Sequence, residues 1–352
     1  TMEFIKGMDL SSLLEVEGCG GRFYDKGIEQ DAIDILQNYG MNSVRLRLWN
    51  NPYTEDGKPY GAGSNDLKVT TELAKRCLAR NMGFLLDFHY SDFWADPGKQ
   101  YVPKAWQKFS LEEIENAIYD YTVEVLQSLK QEDAYPTMIQ IGNEVSNGLL
   151  WPMGKTPNYD NIARFINAGI RAVRSMDQDI PIMIHLDNGG NNKLYREWFG
   201  HFIEKGEDFQ IIGLSYYPFW HGSLDDLSNN MNDIATRYGK ELIIAEVSMG
   251  HTLEDYASYE KLDSSERKGM ATKGKLLENL DYPMTKEGQR DFMEEVMNRL
   301  RAIPNNLGKG FYYWEPAWIP VPGSSWANKE GMDYVNEVGL CGNEWANQAL
   351  FD

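Results

Sequence analysis

Two glutamates each close a short apolar run, and they are the residues of this sequence best suited to acid–base and nucleophilic chemistry. Glu144 closes the run Met-Ile-Gln-Ile-Gly-Asn-Glu, and Glu246 closes Leu-Ile-Ile-Ala-Glu. A carboxylate at the end of an apolar strand is costly to bury unless it has a role or a partner. Two such carboxylates can divide the work, because a neutral one donates a proton while an ionised one attacks an electrophile. The alternative is that each glutamate forms a structural pair with an arginine.

Polar and aromatic residues stand at or near the ends of the other apolar runs. Arg45 and Arg47 alternate along one face of the second run, where an arginine can keep a neighbouring carboxylate ionised. Asn143 precedes Glu144 and offers an amide group. The remaining candidates can donate, accept or stack, and they are Asp87, His89, Asp187, Tyr217 and Trp314. Taken singly, His89 and Tyr217 are more typical of lining residues than of catalysts.

Eight short apolar runs alternate with helical patterns, and this repeat must position the residues named above. Short runs rich in branched and aromatic residues are typical of buried parallel strands. The predicted strands cover residues 4–9, 43–49, 83–89, 138–144, 180–188, 211–217, 241–247 and 310–314. The predicted helices cover residues 25–39, 64–81, 110–131, 158–176, 195–205, 224–238 and 285–302. Ser110 and Glu113 have the spacing of a capping box at the start of the third helix.

This alternation predicts an α/β fold, a single (β/α)₈ TIM barrel that forms one catalytic domain over residues 1–352. Two long connections, 249–284 after strand seven and 315–347 after strand eight, lie at the carboxyl ends of strands, where barrels place function. The alternative is an open, doubly wound sheet, which often carries a glycine-rich phosphate loop. The sequence contains neither GxGxxG nor GxxxxGK[ST].

Strands four and seven face each other across the mouth of such a barrel, which is where Glu144 and Glu246 are expected. Two carboxyls there can approach to about 5–5.5 Å, the separation in retaining glycosidases, where one is the acid and the other the nucleophile. In such a site Asn143 can bond a sugar 2-hydroxyl, and Trp314 can form the floor under a sugar ring. A separation of about 10 Å, or a static buried ion pair at either glutamate, contradicts this interpretation.

The composition narrows the classes of partner. The 352 residues carry 34 Lys and Arg against 53 Asp and Glu, a net charge of −19, and an acidic chain repels the phosphates of nucleic acids. Mean hydropathy is −0.52, and no run of 18 apolar residues occurs, so no membrane span is expected. The three cysteines form no CxxC pair, and the five histidines are too dispersed for a zinc site.

The chain is rich in aromatic residues, with 10 Trp, 20 Tyr and 14 Phe. Aromatic rings can stack against the C–H faces of sugars, and an indole also has a donor that can reach a hydroxyl. Six tryptophans in loops after strands three, four, six and eight are candidates for this role: Trp94, Trp106, Trp151, Trp220, Trp318 and Trp326. Trp94, beside the end of the third strand, is the best candidate for an outer subsite. We expect roughly half of the six to line a groove and the rest to brace loops.

Six longer strings carry a resemblance to a known family. They are FIKGMDLSS, NSVRLRLWN, LDFHYSDFWADP, QIGNEV, AEVS and YWEPAWIP. They resemble glycoside hydrolase family 53 of the clan A glycosidases. That family comprises endo-β-1,4-galactanases acting on the galactan side chains of pectin. The likeness spans about residues 4–351, nearly the whole chain.

The resemblance implies a retaining endo-β-1,4-galactanase with Glu144 as acid/base and Glu246 as nucleophile. It implies β-1,4-galactan and galacto-oligosaccharides as partners, and a secreted or cell-surface enzyme whose signal segment has been removed. We expect a monomer. The alternatives are the same chemistry on mannan, cellulose or xylan, and a glycan-binding barrel without activity.

Neither step of this chemistry requires a metal or an organic cofactor. Bacterial members of the family can hold calcium in the loop after strand seven, and the 249–284 loop of this chain offers Glu254, Asp255, Asp263 and Asp281. Asp255 is the ligand we predict for a structural calcium ion. The alternative is a solvated acidic loop, because the segment lacks the DxDxDG pattern of an EF-hand.

Overall fold

Eight parallel strands form the centre of the fold. The fold comes from a computed structural model that describes residues 2–254, 269–339 and 341–352. The strands are β1 (Ile5–Asp9), β2 (Ser43–Leu48), β3 (Gly83–Phe88), β4 (Met138–Ile141), β5 (Ile182–Leu186), β6 (Ile211–Tyr216), β7 (Glu241–Val247) and β8 (Gly308–Trp314). Each strand pairs with the next in the series, and β1 also pairs with β8, so the barrel is closed. The predicted TIM barrel is confirmed.

Helices follow the strands and surround the barrel. Their bounds are Leu13–Gly18, Ala32–Asn38, Leu67–Leu78, Leu111–Gln131, Tyr159–Met176, Asn192–Lys205, Leu224–Tyr238, Gly274–Glu278, Lys286–Arg301 and Lys329–Tyr334. The predicted capping box is present, because Ser110 and Glu113 each accept the other's backbone N–H. Asp66, Asn158 and Thr285 cap three other helices by accepting a backbone N–H of the first turn.

The first predicted helix is wrong in its amino-terminal part. Phe23–Asp25 and Ile28–Gln30 form a small antiparallel hairpin, and the helix begins only at Ala32. The two turn residues, Lys26 and Gly27, have φ values of 52° and 79°. Positive φ at both central residues matches the twist of a two-residue hairpin turn, and glycine adopts it without strain.

The position of Glu144 also differs from the prediction. The fourth strand was expected to reach Glu144, but β4 ends at Ile141, because Gly142 has a φ of 79° and takes the chain out of the extended conformation. Glu144 therefore lies in the turn after β4, with φ 46° and ψ 56°. A non-glycine residue in this left-handed region is strained, and such strain persists only where surrounding contacts hold it.

The interior of the barrel has an apolar layer below a polar layer. Residues on alternate strand positions form the apolar cluster, which is Ile5, Leu85, Met138, Met183, Ile211, Ile243, Ala245 and Tyr312. Further along the strands, the inward positions nearer the mouth carry Asp9, Arg45, Asp87, Gln140, His185 and Ser215, all buried. Because buried polar groups need partners, this second layer forms a network of hydrogen bonds and ion pairs under the mouth.

A β-bulge in β7 turns Glu246 into the barrel. Leu214 pairs with Ile244, but Ser215, the next residue of β6, pairs with Glu246, so β7 carries one extra residue. The pairing with β8 shows a register shift at the same place. Ala245 belongs to the inward apolar cluster, so strict alternation would put Glu246 on the outer face. The extra residue lets both point inward, which is a known use of bulges near active sites.

The connection after β8 packs over the mouth of the barrel. Within it, the Trp326 N–H donates to the Gly342 carbonyl at 2.9 Å, and the Leu350 N–H donates to the Pro316 carbonyl at 2.8 Å. Residues 255–268 of the connection after β7 lie outside the described residues. Among the helices of the described ranges, none has both the length and the apolar character that crossing a membrane requires.

Candidate active site

A cavity of about 550 Å³ opens at the carboxyl ends of the barrel strands. The ten residues predicted to catalyse or to bind substrate all line it, and they are Arg45, Asp87, His89, Trp94, Asn143, Glu144, Asp187, Tyr217, Glu246 and Trp314. They come from seven different strands or the segments that follow them. The fold therefore collects residues that lie up to 269 positions apart in the sequence, from Arg45 to Trp314.

Glu144 and Glu246 meet in this cavity. One oxygen of each carboxyl and one ring nitrogen of His185 all lie within 4.8 Å of one another. This separation is close to the spacing of about 5–5.5 Å in retaining glycosidases and far below 10 Å. The three groups are of types that bind metal ions, but both nitrogens of His185 are already engaged, Nδ1 with Gln140 and Nε2 with Ser215. This donor set therefore fits a carboxylate pair better than a metal centre.

Arg45 and Tyr217 hold the two oxygens of Glu246. The guanidinium donates to Oε2 at 3.0 Å, and the Tyr217 hydroxyl donates to Oε1 at 2.7 Å. Arg45 also pairs with the buried Asp9 at 3.1 Å and Asp87 at 2.9 Å, so Glu246 shares this cation with two other carboxylates. Burial raises the pKa of Glu246 above its usual value, although Arg45 and Tyr217 act in the opposite direction. Glu246 therefore does not form an exclusive ion pair with Arg45, and its side chain lines the cavity.

Glu144 lies among negatively charged side chains. Burial raises its pKa well above the usual value, and the negative charges of Glu246, Asp187 and Asp96 act in the same direction. The Ser215 hydroxyl donates to Oε2 at 2.9 Å and favours the ionised form. The main charges that act on the pKa of Glu144 are negative, whereas the positive charge of Arg45 is among the main ones that act on Glu246. These surroundings favour the protonated form more strongly at Glu144 than at Glu246.

Asn143 and His89 are held firmly in the cavity wall. The Asn143 amide nitrogen donates to the Ala95 carbonyl at 2.8 Å, which leaves its second N–H for other partners. Nδ1 of His89 accepts from the Trp49 indole at 3.0 Å and from the Ala95 N–H at 3.1 Å. Its Nε2 lies 3.3 Å from Asp87, and burial lowers the pKa of the ring. His89 is therefore a neutral donor toward Asp87.

Arg47 was considered, with Arg45, as an arginine that keeps the nucleophile candidate ionised, but its guanidinium contacts other groups. Its guanidinium donates to Glu315 at 2.8 Å and to the Ala62 carbonyl at 2.7 Å. Its central carbon lies 4.5 Å from the ring centroid of Trp94, a cation–π distance. The Trp94 indole donates to the Trp326 carbonyl at 2.9 Å. Arg47 thus supports an aromatic wall and does not contact the nucleophile candidate.

Aromatic rings form much of that wall. Four of the six predicted loop tryptophans border the cavity, and these are Trp94, Trp220, Trp318 and Trp326. Trp318 is fully buried and can only support the surface, whereas Trp220 is 47% exposed. Trp106 is buried elsewhere, and Trp151 lines a separate cavity of about 320 Å³. Trp345, which was not among the six, packs edge-on against Trp314 at 4.9 Å and also lines the cavity.

Sequence reasoning missed several polar residues that shape the site. The Ser146 hydroxyl donates to Asp187 at 2.5 Å, and His221 also lines the cavity. His185 and Ser215 contact Glu144 directly. A signal for the last two was available, because His185 precedes Asp187 by two residues and Ser215 precedes Tyr217 by two, so each faces the same side of its strand as a predicted residue.

The calcium prediction stays a prediction. Asp255 and Asp263 lie outside the described residues, so the proposed ligand set cannot be assembled from Glu254 and Asp281 alone. In the parts of the chain that the structure describes, one group of metal-ligand types comes close together, and it is the Glu144 and Glu246 pair with His185.

A closed parallel barrel with two facing glutamates in an aromatic-walled cavity at its mouth is the arrangement of a barrel glycosidase. Comparison with known families agrees with this class. The family model for glycosyl hydrolase family 53 matches residues 5–352, and the chain belongs to this family.

Individual relatives are similar over almost the full chain. An endo-β-1,4-galactanase of Bacillus subtilis is 37% identical over 99% of this chain and 82% of its own length. The family 53 catalytic domain of Ignisphaera aggregans superposes with a TM-score of 0.90 at 38% identity, covering 99% of this chain and 92% of that one. A fungal β-1,4-galactanase structure has a TM-score of 0.78 at 29% identity, covering 100% and 96%.

Proposed function

We propose that this protein is an endo-β-1,4-galactanase that hydrolyses its substrate with retention of the anomeric configuration. Family membership and galactanase-named relatives support the activity. The observation that carries the mechanism is the meeting of Glu144 and Glu246 within 4.8 Å at the mouth of the barrel. This spacing suits a double displacement and leaves no room for the water that an inverting enzyme holds between its carboxyls.

In the first step the ionised Glu246 attacks the anomeric carbon while Glu144 protonates the departing glycosidic oxygen. The C–O bond to the leaving sugar breaks, and an ester forms between the galactosyl unit and Glu246. Arg45 and Tyr217 stabilise the ionised Glu246 before the attack and orient its oxygens. The raised pKa of Glu144 keeps the acid protonated for this step.

In the second step Glu144, now ionised, takes a proton from water, and the hydroxide oxygen attacks the anomeric carbon from the face the leaving group left. The ester to Glu246 breaks, and the two displacements together keep the β configuration. Formation of the ester neutralises the negative charge of Glu246, which lowers the pKa of Glu144, so Glu144 can stay ionised until hydrolysis returns a proton to it and the charge to Glu246.

Substitution of the nucleophile tests the proposal most directly. Glu246→Gln should keep the fold and substrate binding but lower galactan hydrolysis by several orders of magnitude, because the amide cannot form the ester. Tyr312→Phe, which changes a buried residue at the other end of the barrel, is the matched control. Near-wild-type release of reducing ends by Glu246→Gln would overturn the assignment.

The stereochemistry of the first product is a second test. Proton NMR during early hydrolysis of linear galactan should show the β-anomer before mutarotation. An initial α-anomer would mean inversion and would contradict the roles given to the two glutamates. Parallel assays on mannan, cellulose and xylan establish whether galactan is the preferred polymer.

We also propose that the enzyme is secreted or cell-surface, monomeric, and active on the galactan side chains of pectin. The support is chemical, because a polysaccharide in plant material is reached from outside the cell. Size-exclusion chromatography with light scattering tests the monomer, and release of galacto-oligosaccharides from pectic galactan tests the substrate. A stable dimer, or activity on free linear galactan alone, would contradict the respective parts.

A further inference from the structure

Ser215 and His185 contact Glu144 at both its side chain and its backbone. Ser215 Oγ donates to Glu144 Oε2 at 2.9 Å, and His185 Nε2 lies 2.8 Å from Ser215 Oγ. On the other side of the ring, Nδ1 of His185 accepts from the Glu144 N–H at 3.2 Å. Both side chains are fully buried. These three hydrogen bonds form a closed ring that holds the left-handed backbone of Glu144 in place.

The tautomer of His185 follows from the donors around it. Arg45 can only donate, so Gln140 turns its Oε1 toward Arg45 Nε at 3.2 Å and its amide nitrogen toward His185 Nδ1 at 3.0 Å. The Glu144 N–H points at the same nitrogen. Two donors converge on Nδ1, so that atom carries no proton and the ring proton is on Nε2. Burial, with the charge of Arg45, lowers the pKa of His185 well below its usual value, so the ring is neutral.

The proton on Nε2 in turn fixes the direction of the Ser215 hydroxyl. Because the imidazole donates to Ser215 Oγ, the hydroxyl proton is available for Glu144 Oε2. A carbonyl-type oxygen accepts a hydrogen bond better than the hydroxyl oxygen of a carboxylic acid does. When Glu144 is protonated, its own proton therefore stands on Oε1.

We propose that Ser215, oriented by His185, is a positioning residue that keeps the acid proton of Glu144 on Oε1. This inference rests on the proposed glycosidase function. In the first step the Oε1–H bond breaks and the proton passes to the leaving oxygen; in the second step a proton of water passes to Oε1. Ser215 transfers no proton, and its hydrogen bond to Oε2 strengthens as Glu144 becomes ionised.

Leaving-group dependence distinguishes this role from simple structural support. Ser215→Ala should lower kcat/KM about 10- to 100-fold for aryl β-galactobiosides with poor leaving groups, which need a well-placed acid. A dinitrophenyl leaving group needs little protonation, so its kcat/KM should change far less. Ser215→Thr keeps the hydroxyl and should restore most of the difference. Ser43→Ala, which removes a buried hydroxyl at the far end of the barrel, is the matched control.

The pH profile supplies a second readout. The hydrogen bond from Ser215 favours ionised Glu144, so its loss should raise the pKa of that group and move the alkaline limb of kcat/KM up by about one pH unit. The charged groups that act most strongly on Glu144 and remain in the variant are Glu246 from β7, Asp187 after β5 and Asp96 after β3. An equal fall in kcat/KM for all leaving groups with an unmoved alkaline limb would overturn the proposal.

A measurement on the wild-type protein separates this inference from the proposed function. Long-range proton–nitrogen NMR, with the His185 signals assigned by their loss in His185→Gln, should show a neutral ring protonated at Nε2. A ring protonated at Nδ1 would overturn the inference even in a fully active enzyme. Wild-type protein without activity on galactan would instead overturn the proposed function, whatever the tautomer.

Discussion

The Tyr217 hydroxyl is the contact through which the ionisation of Glu246 can be tested with the loss of one atom. It donates to Oε1 of Glu246 at 2.7 Å, and this carboxyl is only 6% exposed. In Tyr217→Phe the ionised form of Glu246 loses a donor, whereas the neutral form loses much less. The pKa of Glu246 should therefore rise, and the acidic limb of kcat/KM should move to higher pH.

The size of the movement follows from the strength of a charge-assisted hydrogen bond. Such a bond to a charged group contributes about 1.5–3 kcal/mol. One pH unit corresponds to about 1.36 kcal/mol at 25 °C. The acidic limb should therefore move up by about one to two pH units. At a pH below the acidic limb, kcat/KM of Tyr217→Phe should be about tenfold lower than that of the wild type for each pH unit by which the limb has moved. The alkaline limb, which reports Glu144, should stay nearly in place.

Initial rates on galactan over both limbs, with unfolding followed on the same samples, provide the assay. Tyr312→Phe is the control, since it removes a buried hydroxyl that bonds Ser43 at 2.8 Å at the far end of the barrel. The control should leave both limbs unchanged. An acidic limb that stays in place in Tyr217→Phe, or moves to lower pH, would refute the reasoning that ionised Glu246 governs this limb.

Three further outcomes are expected. Arg45→Met leaves three carboxylates without their shared cation and should lower the free energy of unfolding in urea by about 3–5 kcal/mol; a loss below about 1 kcal/mol contradicts this. Trp220→Ala should weaken galacto-oligosaccharide binding to Glu246→Gln about 2- to 12-fold by calorimetry, with little change in stability. Burial raises the pKa of Glu15 from 4.5 to about 6, so this residue should lower the free energy of unfolding of the wild type as pH rises through this range. Glu15→Gln should remove up to about 2 kcal/mol of that decrease. Urea unfolding that gives the same difference between wild type and Glu15→Gln at both ends of the range would contradict this.

Much of the fold is predictable from local patterns. Buried parallel strands need continuous apolar runs, and all eight were found within a few residues of their true bounds. The capping box of Ser110 and Glu113 marked one helix start, because these side chains satisfy free backbone N–H groups. The error at residues 25–31 arose because Ile28 stands four residues before Ala32, a helical spacing, although Ile28 belongs to the hairpin with the Lys26-Gly27 turn.

The site residues were predictable to the extent that they follow strand ends. Parallel strands of a barrel deliver the residues at their carboxyl ends to one mouth, so Arg45, Asp187 and Trp314 could be grouped without knowledge of the structure. Arg47 was placed less well, because its choice between Glu246 and Glu315 depends on which carboxylate the closed barrel brings next to it, and Glu315 follows the end of β8. The loop tryptophans divided for the same reason, since loop packing decides which rings face the cavity.

The amino-acid order by itself determined the barrel, its strand sequence and the pairing of one glutamate after strand four with another on strand seven. These follow from hydrophobic periodicity, which is a local property of the chain. Only the tertiary structure decided that a bulge turns Glu246 inward, that Glu144 has a left-handed backbone, and that donors converge on His185. Register and the direction of hydrogen bonds depend on groups brought together from distant segments, and no local pattern encodes their geometry.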